Sequence, residues 1–334
     1  MVGIKDIAKE AGVSVATVSN VINGRKNVGE KTRQNILRIC EEMSYIPNAA
    51  GRSLKTGEVN TILFNFSDFE RSFYLDVIHG ISDYANANEF DLMICTKKSC
   101  EKFMRSGFTS GCIILDMGVK DKNICEVASE NYPVILLDRE VDSPYVKSIL
   151  VNNYDAMCEL VEGLIGLGYR KFSFIGGPER TDDNKERYKA FLDVLEKHQI
   201  SFNRKHYYSG DYYQKSGATA AKIMLLSDEV PDCIVCANDN MAIGAIRELR
   251  KAGLRVPEDV AVTGFDNCSM AEPMELTTVD VPDYERGYLA AQNLIGNIRG
   301  RRNTETLRIG ARVKWRKTTI SKKKDGGKPG SKNW

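Results

Sequence analysis

GVSVATVSNVING, residues 12–24, is the stretch from which the organisation of the chain is read. The segment before it, Ile4-Lys5-Asp6-Ile7-Ala8-Lys9-Glu10-Ala11, sets apolar residues at 4, 7, 8 and 11, the spacing of one helical face. Gly12 ends that helix and permits a tight turn. Ser14 can cap a second helix, with Val13 and Val18 at the N′ and N4 positions of a hydrophobic staple. At about 100° per residue, Val18, Val21 and Ile22 share one face of this second helix, and Ala16, Asn20 and Asn23 the other, flanked by Val15 and Ser19. The outward face is small and polar and carries no acid. That suits a helix in a major groove, where amides and methyls meet base edges. The candidate DNA-facing set is Val15, Ala16, Thr17, Ser19, Asn20 and Asn23. A small helical hairpin packed on a larger domain would show the same spacing.

The same residues carry a resemblance. IKDIAKEAGVSVATVSNVINGRKNVGEKTR (4–33) with YIPNAAGRSLKTG (45–57) resembles, nearly position for position, the DNA-binding headpiece of the LacI/GalR family of bacterial repressors. The resemblance implies that Val15, Ala16 and Asn20 face the bases. It also implies a hinge helix over about 48–55 whose Leu54 wedges into the minor groove. The chain departs from the family at Asn20, where Arg or His is usual, at Gly51, where Ala is usual, and at Gly29, where a capping Ser is usual. Pro47-Asn48 and Gly57 are start and stop signals for the hinge. A helix of two to three turns is marginal in water, and Gly51 costs it roughly 0.5–1 kcal/mol relative to Ala. The hinge is therefore expected to order only on DNA.

The 334 residues carry a formal net charge of only +2, unevenly spread. Residues 1–58 hold 9 Lys/Arg against 6 Asp/Glu, and residues 299–334 hold 13 against 2, so the intervening body is acidic by 12 charges. DNA contact is then expected at the ends and not on the body. The chain opens on a polar amphipathic helix rather than a signal peptide, and no apolar run reaches a membrane span. Nine scattered cysteines fit a reducing cytoplasm. Cys233 and Cys236 form a CxxC within the apolar run CIVCA; on a strand they face opposite sides, so they read as core residues rather than metal ligands.

Lys31 to Tyr45 reads as a third helix that closes the headpiece. From Val59 onward, apolar runs alternate with helical segments: NTILFNF (60–66), FDLMICT (90–96), GCIILD (111–116), YPVILLD (132–138), KFSFIGG (171–177), a strand near 206–208, DCIVCAND (232–239) and DVAVTGFD (259–266). Such alternation means parallel sheets covered on both faces, in two doubly wound lobes. ANDNMAIGAIRELRKAGLRVPEDVAVTGFDN and LTTVDVPDYERGYLAAQNLIG are similar to the periplasmic-binding-protein-like core of the same family. The resemblance implies three crossings between lobes. The expected division is a headpiece at 1–47, a hinge and linker at 48–58, and an effector-binding and dimerisation core at 59–320. Within the core, lobe 1 takes 59–154 and 280–300 and lobe 2 takes 155–279 and 301–320. The end, 321–334, reads as a basic disordered tail without a leucine heptad.

Ligands of open parallel sheets sit beyond the carboxyl ends of the strands. There the second lobe sets Asn238 and Asp239 after CIVCA, Asp266 after VTGF, and Arg187 on the helix following FIGG. An acid, an amide and an arginine facing one cleft can hold neighbouring hydroxyls of a polar ring. Tyr212, Phe73 and Tyr74 could stack on that ring, and Asp138 ends a strand at the matching edge of the first lobe. Asp239 reads as a cap of the following helix rather than a ligand contact. The resemblance adds weight to Arg187, Asn238 and Asp266, while Arg71-Ser72 stands where the family often has Asn-Pro. His79, His198 and His206 have no metal-ligand spacing, and no GxSxG, GxxxxGK or GxGxxG occurs. The chain thus reads as a sequence-specific DNA-binding repressor and not an enzyme, with no metal or cofactor. It is expected to be a cytoplasmic homodimer on a pseudo-palindromic operator, controlled by a carbohydrate between the lobes. A nucleobase or a phosphorylated partner protein is the alternative effector, and a cytoplasmic small-molecule binding protein the remaining rival.

Overall fold

A computed structural model describes residues 2–22, 24–25, 27–45, 59–227, 230–301 and 305–322. The hinge, with Pro47, Asn48, Gly51 and Leu54, lies outside these, as do Asn23 and the tail from 323. The chain forms two units, residues 1–59 and 60–334.

The first unit holds α1 (Ile4–Glu10), α2 (Val15–Ile22) and α3 (Glu30–Glu42). Gly12, at φ +63°, makes the turn between α1 and α2. Ile7, Ala8, Val18, Val21, Ile36 and Ile39 form the core, and Val13 packs against it with Val18 as the staple requires. Gly29 caps α3 without a side chain to help.

The second unit runs β1 (Thr61–Phe66), α4 (Phe73–Ala87), β2 (Asp91–Thr96), α5 (Ser99–Met104), β3 (Cys112–Leu115), α6 (Asp121–Val127), β4 (Val134–Leu136) and β5 (Val146–Val151). It continues with α7 (Asn153–Gly166), β6 (Phe172–Gly176), α8 (Asp182–Lys197), β7 (Tyr207–Ser209), α9 (Gln214–Leu225), β8 (Cys233–Cys236), α10 (Asp239–Lys251) and β9 (Ala261–Thr263). The last elements are β10 (Thr278–Asp280), α11 (Asp283–Ile298), β11 (Leu307–Ile309) and β12 (Arg312–Lys314). Lobe 1 is a six-stranded parallel sheet in the order β11-β5-β4-β3-β1-β2, and lobe 2 a four-stranded parallel sheet in the order β7-β6-β8-β9. Strands such as β3 and β8 are buried along their whole length, because helices cover both faces. Cys233 and Cys236 are fully buried on β8, and burial pushes both thiols well up.

The chain passes between lobes three times. It leaves lobe 1 after β5, returns from β10 into α11, and leaves again between β11 and β12. α11 packs so tightly on α4 that a Cβ on Gly80 would lie 2.0 Å from the Tyr284 carbonyl oxygen, and one on Gly287 2.1 Å from that of Val77. The third passage differs from the sequence expectation, which put all of 301–320 in lobe 2. Leu307–Ile309 pairs parallel with Ile149–Val151 and buries Leu307 and Ile309 against the lobe 1 core, so the passage falls after Ile309. β12 then pairs antiparallel with β10.

Candidate functional site

In the headpiece, α2 turns Val18 and Val21 inward and leaves Val15 (38% exposed) and Ala16 outside. Ser19 and Asn20 are half-buried on its sides. The Ser14 hydroxyl accepts from the Thr17 amide at 3.1 Å and lies 2.9 Å from the Thr17 hydroxyl. Thr17 is thereby tied to the Ser14 cap through its amide and hydroxyl, which leaves its methyl and the rest of its hydroxyl's hydrogen-bonding capacity for a base. No charged residue occurs in α2. The exposed face offers methyl groups and one amide, a surface able to sit on base edges without repelling phosphates.

In the second unit, the carboxyl ends of both sheets face one cleft of about 830 Å³. Burying Arg187 without partners would be prohibitive, and α8 sets it where it has several. Its Nε donates to Asn153 Oδ1 at 2.9 Å, its Nη1 donates to the Ala237 carbonyl, and Nη1 lies 3.7 Å from Asp266 Oδ1. The guanidinium stacks 3.6 Å over the Phe265 ring. Asp266 has φ +113° and Asn267 φ +58°, an unfavourable pair for non-glycine residues. Asp239 holds this turn. Its Oδ2 accepts from the Cys268 amide at 2.7 Å, its Oδ1 accepts from the Thr278 hydroxyl at 2.5 Å, and its own amide donates to the Phe265 carbonyl at 2.8 Å.

The facing wall comes from lobe 1. Arg139 Nη1 donates to both oxygens of Asp138 at 2.9 Å, and its Nε donates to Asp121 at 2.7 Å. Arg286, near the start of α11, pairs with Asp283 at 3.1 Å and donates to the Leu137 carbonyl. Tyr74 is buried beside Phe73, with ring centroids 4.3 Å apart, and Arg71 lies 4.8 Å over the Tyr74 ring. Burial raises the carboxyls of Asp138 and Asp283 to about 6 and that of Asp239 to about 7, and pushes Asp266 well up, against the pull of neighbouring arginines or hydrogen bonds. Carboxylates held this way gain from hydrogen-bond donors such as hydroxyls.

All seven residues singled out from the sequence for the effector (Arg187, Asn238, Asp266, Tyr212, Phe73, Tyr74 and Asp138) line this cleft. Their freedom differs. Asn238 is the N-cap of α10: its oxygen accepts from the Met241 amide at 3.0 Å and its Nδ2 donates to the Tyr212 carbonyl at 3.0 Å. It therefore positions Tyr212 and has one amide hydrogen to spare. Asp239 does not cap its helix, as its neighbour does that; its carboxylate ties the Asp266 turn to β10. Sequence reasoning missed Asn153, Asp183, Asp283, Arg286 and Arg139, which also line the cleft. Asp283 and Arg286 carried a usable signal, two opposite charges three apart at the start of a helix; the others did not. Among the described residues, no group of three His, Cys, Asp or Glu is placed to hold a metal ion, and no helix is long and apolar enough to cross a membrane.

Comparison with known proteins matches residues 3–48 to bacterial regulatory proteins of the lacI family, and residues 161–319 to a periplasmic binding protein-like domain. The chain is 30% identical to a probable HTH-type transcriptional repressor, ExuR, of Bacillus subtilis, covering 89% of this chain and 92% of that one. It is 28% identical to the HTH-type transcriptional repressor PurR of Aliivibrio salmonicida, covering 92% and 95%. In structure it is similar to a lac repressor dimer bound to operator and an anti-inducer, with a TM-score of 0.82, 26% identity, and coverage of 96% and 99%.

Proposed function

From the premise that this chain belongs to the lacI family of bacterial regulatory proteins, we propose how it acts as a sequence-specific DNA-binding transcriptional repressor. The observation that carries the reading is the pairing, in one chain, of an uncharged α2 face with a cleft whose walls set acids against arginines. Val15, Ala16 and Asn20 read the operator, with Ser19, Asn23 and the Thr17 methyl at the margin and Leu54 of the hinge as the wedge. Arg187, Asp266 and Asp138 bind the effector directly, Tyr212, Phe73 and Tyr74 shape its apolar face, and Asn238 holds Tyr212. The effector is a polyhydroxylated molecule of carbohydrate type, since the raised carboxylates call for donors and the guanidinium groups for acceptors.

The division of the chain follows the same reading: headpiece to 47, hinge to 58, then a core to 320 that binds effector and pairs with a second copy. Support for pairing is the exposure of Leu75 on α4, Ile223 on α9 and Leu226 just beyond it, the last 87% exposed. A two-fold dimer brings two headpieces to a pseudo-palindromic operator, because one headpiece reads only a half-site. The protein works in the cytoplasm, where free thiols persist. The test is capture of genomic fragments by the full chain at about 0.15 M salt. A few enriched pseudo-palindromes are expected; uniform, salt-sensitive binding with and without monosaccharides would refute sequence-specific control.

A further inference from the structure

We infer that the cleft is held by two latches built from the protein alone, one towards each lateral edge, and that they govern access to the ligand site. The inference rests on reading the cleft as the effector site. The first latch joins the lobes where β1 ends. Tyr213, immediately before α9 in lobe 2, donates through its hydroxyl to Asp68 Oδ2 in lobe 1 at 2.7 Å. Asp68 is fixed within its own loop, accepting from the Glu70 amide at 2.9 Å and from Arg71 at 3.2 Å. Arg71 is in turn held over the Tyr74 and Phe73 rings, 4.8 and 5.8 Å from their centroids. The Asp68 side chain is only 14% exposed. Burial would raise its carboxyl, but the Tyr213 hydroxyl, the Glu70 amide and Arg71 outweigh burial and hold it below its usual range.

The second latch stands at the other side of the sheet, since β11 is one edge strand and β1 lies next to the opposite edge. Arg308 on β11 donates to Glu140 of lobe 1 at 3.0 Å and to Glu186 on α8 of lobe 2 at 3.2 Å. The two latches differ in physics. The Tyr213 bond is charge-assisted, short and sheltered, so salt affects it little. The Arg308 pair is 44% exposed against partners at 54% and 32%, and salt screens it. Two latches of unequal salt sensitivity make the opening of the cleft a graded equilibrium in which the Arg308 side loosens first.

Hydrogen exchange of the full chain, without added ligand, tests this in wild type, Tyr213→Phe, Arg308→Met and the double variant. The reporters are the cleft-wall amide of Gly118, which donates to Asp116 Oδ1 at 2.8 Å, and the amide of Gly177, next to the cleft residue Pro178, which donates to Asn184 Oδ1 at 2.7 Å. Loss of the Tyr213 hydroxyl is expected to speed their exchange roughly tenfold. Arg308→Met should speed it less, and raising salt from about 0.05 to 0.5 M should bring wild type to the Arg308→Met rate. Restoring protection by the swap Arg308→Glu with both Glu140→Arg and Glu186→Arg would support the latch. Unchanged exchange in folded Tyr213→Phe and Arg308→Met overturns it, and Tyr213→Phe alone decides if the double variant does not fold. Because no ligand enters the assay, failure here leaves the effector reading standing. An operator response that no ligand changes, with exchange as expected, would overturn that reading instead.

Discussion

Asp239→Asn should flatten the dependence of stability on pH while leaving the fold intact. Asp239 is fully buried, and burial raises its carboxyl to about 7 against hydrogen bonds from Thr278 and Cys268. In the unfolded chain the same group titrates at about 3.9. The native state therefore holds this proton more tightly, binds more protons between about pH 4 and 7, and loses stability as pH rises through that window. At about 1.4 kcal/mol per unit, the whole shift amounts to about 4 kcal/mol, of which about 3 kcal/mol falls between pH 5 and 8. Asparagine is neutral throughout. Its oxygen can still accept from the Cys268 amide, and the Thr278 hydroxyl can turn to accept from its amide. Thermal unfolding at the two pH values is the assay. Asp138 and Asp283 contribute a slope of the same sign in both proteins, and the Asp239 charge also helps to raise Asp266, so the difference between variant and wild type reports Asp239 together with its effect on Asp266. It should reach roughly 5–10 °C for a unit of this size. Equal slopes in the two proteins would show that Asp239 is ionised in the folded state, and the argument from burial would fail.

Asn20→Ala should lose about 1–3 kcal/mol of discrimination between operator and random DNA while keeping salt-dependent nonspecific binding; unchanged selectivity would remove Asn20 from the reading set. Asp266→Ala should abolish the effector response with operator binding intact, and a normal response would place the ligand elsewhere. Leu226→Asp should shift the full chain from dimer to monomer in sedimentation velocity, by burying a charge in the pairing surface; an unaltered dimer would put that surface on another face. Gly51→Ala should tighten operator binding up to several-fold by favouring the hinge helix, as a gain of roughly 0.5–1 kcal/mol implies; weaker binding would refute ordering of the hinge on DNA.

The headpiece was legible because its signals are local: Gly12 for the turn, Ser14 and Val13 for the helix start, and a period that puts Val18 and Val21 inside. The parallel strands were legible as unbroken apolar runs. β5 was not, because Lys147 and Ser148 break its apolar run; β10, β11 and β12 were not, being three residues long and set by partners far away in sequence. LRI at 307–309 has nothing to distinguish it from a loop until β5 lies beside it, which is why the third passage was misplaced. The effector residues were found through a rule of architecture, that ligands meet strand ends. That rule locates a backbone position and is silent on where a side chain is spent. Asn238 shows the cost: its position is at the cleft, while most of its amide is used by Met241 and Tyr212.

Asp239 shows how the cleft and the passages between lobes form one network. Its carboxylate joins three pieces of chain: the start of α10, the strained turn that carries Asp266, and Thr278 on β10. Two residues past β10 the chain enters α11, whose first turn carries Asp283 and Arg286 into lobe 1. A ligand that draws on Asp266 therefore pulls on a turn whose other anchor is the strand leading to the second passage, and whatever rotates the lobes about that passage strains the same turn. A ligand bound at Asp266 would link its binding free energy to lobe orientation through these bonds, and such a linkage is reciprocal: operator must alter effector affinity by the factor by which effector alters operator affinity. Weakening the Asp239 tie should reduce that factor. A variant at Asp239 that left this shared factor at its wild-type value would show that the network drawn here is not the one that couples the sites.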